Sequence, residues 1–324
     1  MVVMIVGLGS MGKRRLKLLK EGYPKLQLIG VDTSLERRNE AKELFKIEAY
    51  DTIEEAIKNG DPSIAFICTA PLTHNKLIKL CLSNNLHIFT ELNLVSDGYD
   101  ELIKLASDNN KELFISSTLL YRKDLQYICE KIQGNKVNYC YHVGQYLPDW
   151  HPWENYKDFF VGDKRTNGCR EIFAIDLPWI IKAFGDIESY TIMKDKNSDL
   201  DINYDDNYII TLKHKNGNKG VICVDVISRK AVRVLEVYSE KLHLFWEGSP
   251  NTLFQYDLES KEKIQIATYS SIDKDKNYSD NIIENAYLDE IYTFFGILEG
   301  SSYPLYTFAE DKKILAFIDK IEGV

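Results

Sequence analysis

Val2-Val3-Met4-Ile5-Val6-Gly7-Leu8-Gly9-Ser10-Met11-Gly12 stands at the start of the chain, and its reading decides the fold. Five apolar residues in a row suit a strand buried on both faces, and the glycines after them suit a tight turn into a helix. Gly7 permits the turn, Gly9 leaves room for a pyrophosphate, and Gly12 lets the helix pack closely on the strand. The free N–H groups and positive end of that helix favour anionic phosphate, with Ser10 and Met11 beside them. A second apolar strand ends in Gly30-Val31-Asp32, twenty residues past Gly12. An acid there accepts hydrogen bonds from both hydroxyls of an adenosine ribose and repels a 2′-phosphate. NAD(H) is thereby favoured over NADP(H), although Arg37 and Arg38 follow closely and an arginine accommodates a 2′-phosphate.

Outward from this stretch, short apolar runs alternate with helix-periodic segments. Val2–Val6, Leu26–Val31, Ile64–Cys68, Leu86–Phe89 and Leu113–Ser116 read as strands, and Leu35–Phe45, Ile53–Lys58, Asn75–Ser83 and Tyr99–Ser107 as helices. Thr52 with Glu55, like Asp51 with Glu54, has the spacing of a helix-starting capping box. This alternation predicts an α/β, doubly wound parallel sheet over residues 1–119.

Past residue 120 the rhythm changes. Val137–Gln145, Asn207–Leu212, Gly220–Ile227, Arg233–Tyr238, Lys241–Trp246, Thr252–Tyr256 and Lys263–Thr268 read as strands in close succession. Lys215-Asn216-Gly217-Asn218 is a hairpin turn, since Asn and Gly tolerate positive φ. Helices are expected at Glu171–Phe184, Asp280–Leu298 and Ala309–Ile321, and a polar surface loop at Ser270–Ser279. The second domain, 120–324, is therefore expected to be α+β, with a large, open, mostly antiparallel sheet. Such a sheet needs its outer face covered, so a homodimer or homotetramer is expected.

The 324 residues are 44% apolar and 27% charged, ordinary for a globular chain of about two domains. Forty Lys and Arg against 49 Asp and Glu leave a net charge of −9, which argues against a nucleic-acid partner or a polybasic membrane patch. No apolar run approaches membrane-spanning length, and the positive charges follow the first apolar run rather than precede it, unlike a signal peptide. Six cysteines lie scattered in apolar stretches without metal-ligand spacing, so no metal is expected and a reducing cytoplasm is the expected home.

Four further stretches resemble the glucose–fructose oxidoreductase / inositol dehydrogenase family. Phe66-Ile67-Cys68-Thr69-Ala70-Pro71-Leu72-Thr73-His74 looks like the family segment whose Thr-Pro turn lies beside the nicotinamide. Leu86-His87-Ile88-Phe89-Thr90-Glu91-Leu92-Asn93 takes the place of its Glu-Lys-Pro motif. Gly168–Gly185 resembles the helix bearing its active-site Asp and His, and Asp289-Glu290-Ile291, Pro304 and Glu310-Asp311 resemble its ending. The resemblance implies cofactor contacts from Thr69, Ala70, Pro71, His74 and Glu91, and substrate contacts from Tyr121 and Arg122. Two departures fall on the catalytic apparatus. Leu92 stands at the family's Lys, and, counting back from Gly185, Glu171 stands at its Asp and Ile175 at its His. Neither Leu nor Ile moves a proton. A one-residue shift of the helix would bring Asp176 near the His position.

Other residues must then carry the proton. His151, in the segment Tyr146-Leu147-Pro148-Asp149-Trp150-His151-Pro152-Trp153, is the histidine expected near the substrate, with Glu171 and Asp176 as alternatives. Trp153 offers a flat face to a sugar ring, and Arg165 and Arg170 offer cations to an anionic group. Interface packing by the Trp-His-Pro-Trp loop is an equally weighted reading, and solvated loop charge competes for the arginines. The expected function is NAD-dependent hydride transfer at a carbinol of a small-molecule sugar, sugar acid or nucleotide sugar, with surface-glycan biosynthesis as one setting. A cofactor-binding sensor without catalysis, and a hydrolase or lyase using held NAD, are the alternatives.

Overall fold

A computed structural model describes residues 1–151, 154–274 and 282–323 of the chain. Trp153 and residues 275–279 of the polar loop lie outside the described residues. The chain divides into two compact units, 1–117 with 287–313, and 118–286 with 314–324. Everything after residue 120 was expected in one domain; instead a stretch near the C-terminus returns to the first unit.

The first unit is built on six parallel strands: β1 (Val2–Val6), β2 (Gln27–Val31), β3 (Glu48–Tyr50), β4 (Ile64–Ile67), β5 (His87–Thr90) and β6 (Leu113–Ile115). Their order is β3-β2-β1-β4-β5-β6, so the sheet reverses direction between β1 and β4, where doubly wound sheets bind their ligands. The helices are α1 (Ser10–Gly22), α2 (Leu35–Phe45), α3 (Ile53–Gly60), α4 (Pro71–Ser83) and α5 (Tyr99–Asp108). Thr52 caps α3 as its spacing predicts, its hydroxyl accepting the Glu55 N–H. The α4 helix begins four residues earlier than expected, because Pro71 at its first position fixes a helical φ and gives up no needed N–H. The strand β3 went unread: three residues with one buried side chain give no apolar run. Phe294, from the returning stretch, packs on Phe66, Phe89 and Phe114 at ring separations of 5.6–5.7 Å.

The second unit holds α6 (Lys123–Ile132), β7 (Asn138–Gly144), α7 (Gly168–Phe184), β8 (Ile187–Asp195), β9 (Asn207–His214), β10 (Lys219–Asp225), β11 (Val232–Tyr238), β12 (His243–Trp246), β13 (Phe254–Tyr256) and β14 (Lys263–Gln265). Two further helices, α8 (Glu284–Leu298) and α9 (Phe308–Glu322), cross the division between the units. The eight strands form one sheet, antiparallel throughout except for the β7–β10 pair. Alternation along β7 sends Tyr139 and Tyr141 inward, where Tyr139 stacks on Phe184 at 3.8 Å and Tyr141 meets the edge of Trp179. The opposite face leaves Met193, Ile209 and Val234 exposed. The strand β8 was missed because, as an edge strand, it is mostly exposed and carries charge. No helix among the described residues is long and apolar enough to cross a membrane.

Candidate functional site

In the first unit, the turn after β1 is made as its glycines require. Gly7 has φ +93°, and a Cβ there would lie 2.7 Å from the Cys68 carbonyl oxygen. A Cβ on Gly12 would lie 1.9 Å from the Gly7 oxygen, so this glycine closes helix on strand. Gly9 differs: its nearest neighbour is the Arg37 guanidinium at 3.9 Å, which leaves open space over the N-terminus of α1. Ser10 and Met11 begin α1, whose first turn holds no acid and whose Gly9 cap supplies no side-chain bond. An open backbone at a positive helix end suits a pyrophosphate.

Asp32 lies where β2 ends and is nearly buried. Its Oδ2 accepts the Leu8 N–H at 2.8 Å and its Oδ1 accepts the Ser34 N–H at 2.8 Å. A carboxylate offers about four acceptor positions, so two remain for a ribose diol. Arg37 Nη1 stands 3.7 Å from Oδ2, while Arg38 donates to the Asp32 carbonyl. The residues present therefore fit an NAD(P) dinucleotide: glycine turn, helix end and ribose-facing acid.

The Thr69-Ala70-Pro71 turn leads from β4 into α4. His74 Nε2 lies 2.8 Å from the Thr69 carbonyl and Nδ1 lies 2.5 Å from Asn93 Oδ1. Burial lowers its pKa, so the imidazole fixes the turn rather than moving protons through it. Glu91 follows β5. Its two oxygens take Arg15 Nε at 2.6 Å and Nη2 at 3.1 Å, a forked pair inside the core. Arg15 also reaches Ser116 and Glu290, so Glu91 is tied into a buried network just past β5.

In the second unit, α7 carries the remaining chemistry. Asn167 caps it, its side chain accepting the Arg170 N–H. Glu171 lies in the first turn, and its Oε2 is buried without a hydrogen-bond partner. Desolvation raises its carboxyl from the usual value to about 8, against the pull of the helix end, so it is protonated at neutral pH. Asp176 is different in kind. Its Oδ1 receives Tyr141 Oη at 2.6 Å, Trp179 Nε1 at 2.9 Å and the Arg233 guanidinium, while Oδ2 is buried and unpartnered. The ion pair with Arg233 holds the side chain in place.

The other expected contacts are dispersed. His151 Nδ1 lies 2.6 Å from Glu154 Oε1, with its ring 4.2 Å from that of Phe159. Tyr121 is buried, and Arg122, 2% exposed, is spent on Asp124 and the Gly248 carbonyl. Arg170 is buried against Asp319 and Glu322. Both arginines are held by partners within their own unit. Arg165 begins a short turn capped by Asp163. No group of three or more His, Cys, Asp or Glu able to hold a metal occurs among the described residues.

Comparison with known proteins agrees with this geometry. Residues 1–117 match the model described as "Oxidoreductase family, NAD-binding Rossmann fold". Human biliverdin reductase A is 24% identical over 139 residues, 42% of this chain and 46% of that protein, so the chain spans about half the length of this relative. Among solved structures, UDP-N-acetylglucosamine 3-dehydrogenase GnnA from Acidithiobacillus ferrooxidans superposes with TM-score 0.78 at 13% identity, covering 100% of this chain and 97% of that one. The WlbA dehydrogenase from Bordetella pertussis, in complex with NADH and UDP-GlcNAcA, gives 0.76 at 14% identity, covering 99% and 94%. At such identities the likeness shows the fold.

Proposed function

We propose, for a chain whose residues 1–117 match the model of the oxidoreductase family with an NAD-binding Rossmann fold, that it exchanges hydride with a carbinol or ketone carbon of a sugar, sugar acid or nucleotide sugar. Gly7, Gly9, Ser10, Met11, Gly12 and Asp32 would hold the dinucleotide, with Thr69, Ala70, Pro71 and His74 shaping the turn beside it. The Asp32 carboxylate favours NAD(H). When bound, the dinucleotide supplies the hydride chemistry.

Glu171 is the observation that carries the reading. A carboxyl group still protonated at neutral pH, with one oxygen unspent, is a general acid. In ketone reduction it would give its proton to the carbonyl oxygen of the substrate. In the reverse direction its ionised form takes the hydroxyl proton, which requires pH near or above 8. Asp176, fixed by Arg233, serves as an acceptor of a substrate hydroxyl through Oδ2. His151 is the second proton carrier to be tested.

Turnover with a panel of sugars, sugar acids and UDP-sugars, followed through reduced-nicotinamide absorbance, tests the proposal. Reduction is expected to fall and oxidation to rise as pH passes about 8. Failure of every carbinol and ketone, with NADH still bound, would favour a cofactor-binding sensor, the reading to which Leu92 and Ile175 point. A second copy of the chain is proposed to cover the sheet face that exposes Met193, Ile209 and Val234.

A further inference from the structure

Three arginines of the second unit are already occupied. Arg122 is bound by Asp124, Arg170 by Asp319 and Glu322, and Arg233 by Asp176. The loop between β10 and β11 presents two cations of another kind. Arg229 and Lys230 are consecutive and exposed, and neither forms an ion pair among the described residues. The Arg229 guanidinium lies over the Tyr146 ring, 4.0 Å from its centroid.

That stack orders the side chain without neutralising it. A ring face steadies the exposed guanidinium, and a guanidinium keeps the planar fork that matches carboxylate or phosphate oxygens. Asp225, the acid nearest in sequence, does not compete. Its oxygens are taken by His142, the Ile227 and Ser228 N–H groups and the Ser228 hydroxyl.

The loop is also bonded to the segment that follows β7, and both pack against the start of α7. Tyr146 N–H donates to the Ser228 carbonyl at 2.7 Å, and Leu147 N–H to the Val226 carbonyl at 2.9 Å. Gly168, the first residue of α7, lies so close to Val226, Leu147 and Trp150 that a Cβ there would meet them at 2.9–3.4 Å. One loop cluster thus holds a preorganised cation and the first turn of the helix that bears Glu171.

We propose that Arg229, stacked on Tyr146 and aided by Lys230, binds an anionic oxygen group of the substrate, either a carboxylate or the phosphate of a nucleotide-linked sugar. The inference rests on the oxidoreductase reading for its role in turnover, but binding alone tests it. Calorimetry with UDP, UDP-N-acetylglucosamine, glucuronate and N-acetylglucosamine is compared for the native protein, Arg229→Ala and Arg229→Lys. Arg229→Ala should weaken the anionic probes by about ten- to a hundredfold, the loss of one or two charge-assisted bonds. Arg229→Lys should fall between, since lysine keeps charge but not the fork, and NADH affinity should not change. Loss confined to the UDP probes identifies phosphate as the ligand, and loss confined to glucuronate identifies the carboxylate. Anionic probes that bind both proteins within twofold of each other, or that bind the native protein no better than neutral N-acetylglucosamine, would overturn the assignment. Absence of turnover alongside Arg229-dependent UDP binding would instead refute the oxidoreductase reading and leave the anion site standing.

Discussion

Glu171→Gln is expected to make the protein more stable at neutral pH and much less active. The folded state holds this carboxyl protonated to about pH 8, whereas the unfolded chain ionises it near 4.5. For a group whose folded pKa is raised, stability is fully present below the unfolded value and is lost as pH climbs towards the folded one. Each pH unit within that window costs ~1.4 kcal/mol. At pH 7 the native side chain therefore carries a burden of about 3 kcal/mol that a neutral amide of the same shape does not. Urea unfolding at pH 4.5 and pH 8 measures it directly: the variant should match the native protein at the lower pH and exceed it at the higher. Activity should fall by about 10²–10⁴-fold, because an amide gives up no proton. Equal stability of the two proteins at both pH values, or turnover within fivefold, would refute both the burial argument and the role built on it.

Asp32→Ala should weaken NADH by about 1.5–3 kcal/mol, the scale of charge-assisted hydrogen bonds, as read by calorimetry; equal affinity of the native protein for NADH and NADPH would refute the ribose-diol role. His151→Ala should lower kcat by less than about fivefold; a loss in the hundredfold range typical of a general base would return the proton to the imidazole. Arg15→Ala should cost about 3–5 kcal/mol in urea unfolding, because Glu91 and Glu290 would remain buried without their cation. A cost under about 1 kcal/mol would show that those carboxyls find other partners.

Local pattern made the first unit legible. The Gly7–Gly12 turn, Asp32 and the Thr52 cap each follow from residues within a few positions of one another, so no distant partner is needed. What escaped depends on distance. Glu290 meets Arg15 from 275 residues away, and nothing near either residue announces the pair. Arg170 reads as an available cation because Glu322, which occupies it, lies 152 residues further on, whereas the Asp124 that pairs with Arg122 is only two residues away and its Gly248 partner 126. The strands β3 and β8 failed for a nearer reason: one is too short and the other too exposed to show an apolar alternation. Glu171 was found by its alignment with a family position, but its value as an acid comes from burial, which sequence does not display. The Arg229–Tyr146 stack joins two loops through backbone bonds, and the run Ser228-Arg229-Lys230 gives no sign of it.

Hydride transfer itself is the most direct test of the central claim. The protein is given NADH deuterated at C4 together with the keto form of a UDP-linked or acidic sugar, and the product is analysed by mass spectrometry. The account predicts a carbinol carrying one deuterium, formed faster below pH 8 than above it. Tight NADH binding with no deuterium in any product, at any pH across that range, would contradict it.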